Sequence, residues 1–144
     1  MIVIGDTSGL VAALNVADPE HEAARAALKG SAATVVSPLV MLEIEHVTTR
    51  NVGRRAAFQV NDWVLKNEEI LRVIVPELPA TLLRRARQVQ SRYQALELDL
   101  TNALNVALAE VYETDTVLTL DRRDFRAIKP LTEHEGFRLL PDDL

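Results

Sequence analysis

Four positions along this 144-residue chain set an acid, or its amide, beside apolar residues in a way that could build a metal site. They are Asp6 in IVIGDTSGL, Glu43 in SPLVMLEIEH, Asn102 in LDLTNALNVALAE and Asp121 in VLTLDRRDF. Asp6 and Asp121 directly follow short β-type runs, Ile2-Val3-Ile4 and Thr116 to Leu120. Parallel strands deliver the residues at their C-terminal ends to a common crevice. Two carboxylates about 4 Å apart there repel by roughly 4 kcal/mol at an effective dielectric of about 20. A hard divalent cation with oxygen ligands offsets that repulsion. Such an ion can position water, lower its pKa and stabilise charge building on a phosphate. Hard oxygen donors suit Mg²⁺ or Mn²⁺ better than zinc, which prefers nitrogen and sulfur.

Each position has a plainer reading when taken alone. Asp6, Thr7 and Ser8 are all good helix N-caps. Glu43 in a mostly apolar helix could sit at the rim of the core. Asp121 or Asp124 could cap the turn that follows, and Asp99 could cap the helix that carries Asn102. The joint order is more specific than any member, because each candidate lies near a strand end or a helix start. His21, His46 and His134 are scattered and form no ligand pattern.

The elements that must position these residues alternate between strand and helix. A strand is expected over 1–5, then a helix capped by Thr7 or Ser8 running to about Asn15. A helix over 19–28 opens at Asp18-Pro19 and ends at Lys29-Gly30. A second strand covers 33–36, and Pro38 starts the helix carrying Glu43. Asn51-Val52-Gly53 breaks the chain before a helix over 54–65. A strand over 71–75, helices over 80–93 and 101–112, and strands over 116–120 and 137–140 complete the pattern. Strands interleaved with helices predict a three-layer α/β fold around a parallel sheet. With no linker, repeat or low-complexity tract, residues 1–144 are expected to form one domain.

Composition narrows the function classes. The apolar fraction of 48% argues for a globular fold and against disorder. No apolar stretch reaches the roughly 18 residues of a membrane span. The start, MIVIGDTS, lacks a basic segment and does not read as a signal peptide, so a cytoplasmic location without membrane association is expected. With no cysteine there is no disulfide framework and no thiolate metal site. A net charge of −5 does not suggest a general nucleic-acid binder, yet the charge is uneven. Arg84, Arg85, Arg87 and Arg92 share one segment, and Arg122, Arg123, Arg126 and Lys129 follow Asp121. These are either solvated helix faces or phosphate contacts flanking an acidic centre. A phosphoacceptor receiver would need two adjacent acids after its first strand and a lysine after its last. Asp6 stands alone, and no lysine follows a late strand until Lys129.

At these residues the chain resembles PIN-domain proteins of the VapC toxin type, the ribonuclease half of a bacterial toxin–antitoxin pair. The resemblance spans nearly the whole chain and rests on IGDTSGLVAAL, VVSPLVMLEIEH, NALNVALAE and TDTVLTLDRRDF. It implies a PIN fold and a Mg²⁺- or Mn²⁺-dependent endoribonuclease acting on structured RNA. It also implies a neutralising antitoxin and a homodimer. Asp6, Glu43 and Asp121 match the family's metal-holding acids, and Thr7 or Ser8 matches a hydroxyl supporting the first of them. Asn102 departs from the pattern, where the family carries aspartate. Asparagine keeps a carbonyl oxygen for a metal but loses one negative charge and cannot accept a proton. Three explanations stay open: a substitution made to silence a toxic nuclease, a working variant with Asp99 or Asp124 compensating, or an inactive relative that only binds RNA or protein.

Overall fold

The structure, a computed structural model, describes all 144 residues. Five parallel strands form one sheet in the order β3-β2-β1-β4-β5. They are β1 (Ile2–Gly5), β2 (Ala33–Val35), β3 (Val73–Ile74), β4 (Thr116–Leu118) and β5 (Arg138–Leu140). Seven helices connect and cover them: α1 (Thr7–Leu14), α2 (His21–Gly30), α3 (Pro38–Asn51), α4 (Arg54–Glu69), α5 (Ala80–Arg92), α6 (Leu100–Val111) and α7 (Arg122–Ala127). A 3-10 turn at Gln94–Leu96 leads into α6. The three-layer α/β expectation is met.

The strands read as continuous apolar runs because both faces of the sheet are buried. Side chains alternate between the layers with the period of two that a strand imposes. Ile4, Val117 and Leu139 join a core with α5, α6 and Phe125 of α7. Their neighbours Val3, Leu118 and Leu140 join a second core with α1, α2, α3 and α4. β1 pairs with β2 on one side and β4 on the other, with Ile4 opposite Val117 and Gly5 opposite Leu118. The chain order reverses direction between β1 and β4, and a sheet of this kind opens its crevice beyond the C-terminal ends at such a point. Asp6 and Asp121 lie there.

Several boundaries differ from the sequence-based expectation, each for a local reason. The second helix starts at His21 rather than Pro19, because the Asp18 carboxylate accepts the Glu20 N–H at 2.8 Å and closes a turn first. The third strand starts at Val73, since Leu71 adopts φ 62° and cannot extend a ladder. The fourth helix runs on to Glu69 through a polar segment of good helix formers. Gly53 before it sits at φ 140°, a conformation that glycine alone adopts readily. The β4 ladder ends at Leu118, where the Leu120 N–H turns to the Ser8 hydroxyl. Helix α7 was not anticipated.

Candidate active site

The acidic crevice is built where β1 and β4 end. Asp6 follows β1, and its N–H still donates to the Leu118 carbonyl at 3.0 Å. It occupies the N-cap position of α1 without capping it. Its carboxylate turns inward: Oδ2 accepts from Thr119 Oγ1 at 2.7 Å and Oδ1 from Asn105 Nδ2 at 3.2 Å. The side chain is 3% exposed. Burial pushes its pKa up to about 6, and the nearby charges of Glu43 and Asp121 push in the same direction. The Thr119 hydroxyl and the Thr7 backbone pull it back without cancelling the rise.

Thr119 is the hub. Its hydroxyl donates to Asp6 and accepts the Asp121 N–H at 2.9 Å. With its proton committed to Asp6, the 3.3 Å contact with Ser8 Oγ has Ser8 as donor. Ser8 Oγ also accepts the Leu120 N–H at 2.9 Å, which ties α1 to the end of β4. The tie is close because Gly9 leaves room. A Cβ at that position would stand 2.3 Å from the Leu118 carbonyl oxygen.

Asp121 lies at the N-cap of α7 and again makes no side-chain cap. Its Oδ2 accepts from Asn102 Nδ2 at 2.9 Å. Asn102 sits in the first turn of α6, 8% exposed, and the Asp99 side chain caps that helix by accepting the Asn102 N–H at 2.8 Å. Asn105 lies one turn further on, so Asp99, Asn102 and Asn105 share a face. Glu43 arrives from α3, which Ser37 caps and Pro38 starts just beyond β2. It is half-buried and close enough for its charge to act on Asp6. Asp124, in the first turn of α7, is raised in pKa mainly by burial and then by Asp121, with Arg123 opposing.

Hydrogen bonds gather Asp6, Ser8, Asp99, Asn102 and Asp121 at the ends of β1 and β4, whereas Glu43 and Asp124 are linked to them only through charge. Thr7 and Ser8 do not cap α1. Ser8 supports the strand end, and Thr7 is buried with its hydroxyl unpartnered. Asp99 is the helix cap that its position suggested. Two participants were missed, Thr119 and Asn105. Thr119 stands two residues before Asp121, on the same side of an extended chain. Asn105 stands three after Asn102, which is a readable helical spacing.

Three observations bear on whether a hard cation fits here. The acids have no cationic partner, since every ion pair in the molecule uses Arg85, Arg122 or Arg126 with other carboxylates. Asn105 Oδ1 and Thr7 Oγ1 are buried without partners next to Asp6. The polar groups around the crevice are oxygen donors and amides, with no thiol. Against these, no group of three His, Cys, Asp or Glu side chains stands ready to hold an ion. Both facts are compatible, because charge coupling acts over several Å whereas Mg²⁺ ligation needs about 2 Å. One oxygen of Asp121 is taken up by the Asn102 amide. The residues fit Mg²⁺ or Mn²⁺ as a donor set that must draw together around it.

The arginines after Asp121 are mostly committed elsewhere. Arg122 pairs with Asp142 and with Glu20, and Arg126 makes two 2.7 Å bonds to Asp143. Of the earlier group, Arg85 pairs with Glu110. Arg84, Arg87, Arg92, Arg123 and Lys129 form no ion pair and remain the candidates for phosphate contacts.

Comparison with known proteins places this geometry in context. A model of the PIN domain matches residues 3–130. Ribonuclease VapC26 of Mycobacterium tuberculosis is 35% identical over 136 residues, covering 90% of this chain and 93% of that protein. Among solved structures, M. tuberculosis VapC20, described as a sarcin-ricin loop cleaving toxin, superposes with a TM-score of 0.74 at 23% identity. That match covers 84% of this chain and 90% of VapC20. VapBC2 from Rickettsia felis, solved bound to a DNA fragment from the promoter of the pair, matches with a TM-score of 0.69 at 16% identity over 96% of this chain and 98% of that one. These two likenesses concern the fold.

Proposed function

This chain belongs to the PIN-domain family, in its VapC branch, and on that premise we propose that residues 1–144 form one PIN domain acting as a Mg²⁺- or Mn²⁺-dependent endoribonuclease toxin. The observation that carries the proposal is the Asp6 carboxylate. It is buried at the sheet's switch point, feels the charges of Glu43 and Asp121, and has no basic side chain as partner. When bound, a divalent ion supplies a water of lowered pKa and a positive charge beside the phosphate. Asp6, Glu43, Asp121 and the Asn102 carbonyl oxygen would hold it. Thr119 fixes the Asp6 rotamer and the start of α7 together, so the two acids keep a common reference. Asp99 fixes the first turn of α6 and with it Asn102. The positive ends of α1, α6 and α7 converge on the crevice and favour anions there. Arg123, exposed beside Asp124 and free of ion pairs, would meet RNA phosphate.

The name of the M. tuberculosis relative, a ribonuclease, supports the nuclease reading, and the R. felis pair supports a cognate antitoxin. An acidic, uncompensated crevice suits a basic antitoxin side chain. Leu42, Phe58 and Leu65, exposed by 52%, 50% and 49%, support a covered face on α3 and α4. A homodimer would use it, and light scattering of the purified chain checks this. No helix is long and apolar enough to cross a membrane, and we place the protein in the cytoplasm with its RNA substrate.

A second reading is favoured by one observation, the Asn102–Asp121 hydrogen bond, which holds an amide where the resemblance leads one to expect an acid. In that reading the fold binds RNA or protein without cutting. RNA cleavage by this chain and by Asn102→Asp, each with Mg²⁺ or Mn²⁺ and with chelator, separates the two. Chelator-sensitive cleavage by either protein supports the enzyme. Failure of both on transfer, ribosomal and messenger RNA overturns it.

A further inference from the structure

A second polar site lies at the far end of α1, about 12 Å from the acidic crevice by the rise of an eight-residue helix. A cavity of about 510 Å³ opens there between α2 and α4. Arg25 and Lys29 of α2, one turn apart, line it together with Arg72, and no carboxylate does. None of these three cations has an ion-pair partner. Most basic residues of this chain are likewise unpaired, and what sets these three apart is that they line one cavity. Two of them have a local role at the C-terminus of α2: Lys29 lies in its last turn, and Arg72 Nη2 donates to the Lys29 carbonyl at 3.3 Å. This bond draws the Arg72 head towards Lys29 and concentrates positive charge on one wall. Arg25, one turn before Lys29, has no ion pair to hold it elsewhere.

The rest of the lining is mixed: five residues including Trp63 are apolar or aromatic, and His21, Thr34 and Asn67 are polar. Trp63 and Asn67 of α4 line the cavity together with Leu14 and Val16, and the volume is that of a small-molecule site. Guanidinium and ammonium groups on one wall suit phosphate, and an indole with apolar neighbours suits a flat ring. We propose that this cavity binds a nucleoside phosphate, with the phosphate on Arg25, Lys29 and Arg72 and the base against Trp63. The same chemistry is offered by a free nucleotide and by a nucleotide of an RNA chain. The site stands apart from the acidic crevice and does not depend on nuclease activity.

Trp63 is the only tryptophan, so its indole N–H gives a single NMR signal that reports on the cavity. With chelator present to keep divalent ions from the acidic crevice, the full chain is titrated with adenosine, adenosine monophosphate, inorganic phosphate, a short single-stranded oligoribonucleotide and a glutamate-rich peptide. The expected result is a saturable shift with the monophosphate, weaker with adenosine or phosphate alone. The exposed changes Arg25→Gln and Arg72→Gln, each checked for an unchanged melting temperature, should weaken binding at least about tenfold, the loss expected for one charge-assisted hydrogen bond. Tighter binding of the oligoribonucleotide than of the monophosphate identifies RNA as the source, and the reverse identifies a free nucleotide. The proposal is overturned if neither nucleotide ligand shifts the signal, if the arginine variants bind unchanged, or if the acidic peptide binds more tightly than both.

Discussion

Asp6 concentrates the physics of this molecule in one carboxylate. Its folded pKa of about 6 lies above the ordinary 3.8, so the folded state holds a proton more tightly than the unfolded one. Its contribution to stability is therefore full below about pH 4 and is lost as pH rises through about 6. A rise of this size corresponds to about 3 kcal/mol. Denaturant unfolding of the metal-free chain should show that loss across the window, and Asp6→Asn should remove most of it. Added Mg²⁺ should restore stability at neutral pH. Thr119→Val removes the hydroxyl that holds both Asp6 and the Asp121 N–H, and should destabilise by about 1–3 kcal/mol while raising the Asp6 pKa further. Asp6 and Asp121 were legible in the sequence because acids at strand ends in an α/β chain are seldom there for packing, and Glu43 stood out as an acid inside the mostly apolar start of α3. Thr119 and Asn105 were not singled out, since a strand threonine and a helical asparagine each have ordinary roles. Only the fold brings them from 113 and 99 residues away onto Asp6.

At the level of elements, α1 must press against β4 for Ser8 to reach Leu120. Gly9→Ala would put a methyl group into the Leu118 carbonyl, so α1 must retreat and carry Asp6 and Ser8 with it. The expected cost is about 1–3 kcal/mol of stability together with weaker Mn²⁺ binding, read by thermal melting and calorimetry. The helix missing from the sequence reading, α7, is explained by what holds it. RRDFRA has one buried residue, Phe125, and no helical period to detect. Its anchors are ion pairs from Arg122 and Arg126 to the chain's last residues. Asp143 accepts from Arg126 and from the Leu139 N–H, which lowers its pKa to about 2. That contribution is present above the unfolded value and fades as pH falls towards 2. Asp143→Asn should speed amide exchange across 122–127 while leaving the β1–β4 amides protected, as hydrogen-exchange measurements can establish. The long helices and β1 were readable from apolar pattern and breakers. The start of β3 was not, because nothing in Ile70-Leu71-Arg72 announces that Leu71 turns left-handed.

For the molecule as a whole, the parallel sheet separates tasks. The C-terminal edge carries the acids, the two faces carry the cores, and the far end of α1 carries the basic cavity. A net charge of −5 hides this division, which explains why overall composition said little about nucleic acid. Ion pairing decides which arginines are free. Arg85→Gln breaks an exposed pair and should change stability by less than about 1 kcal/mol without altering RNA affinity. Arg123→Gln leaves the ion pairs intact and should lower RNA affinity and flatten its salt dependence, which filter binding across salt concentrations would register.

The most direct test of the metal site is Mn²⁺ binding followed by electron paramagnetic resonance in this chain, in Asn102→Asp and in Asp6→Asn. Saturable binding by the chain, several-fold tighter with Asn102→Asp and lost with Asp6→Asn, is the predicted outcome. Equal Mn²⁺ binding by Asp6→Asn and the unaltered chain would contradict it, because the ion would then not depend on the buried carboxylate at the end of β1.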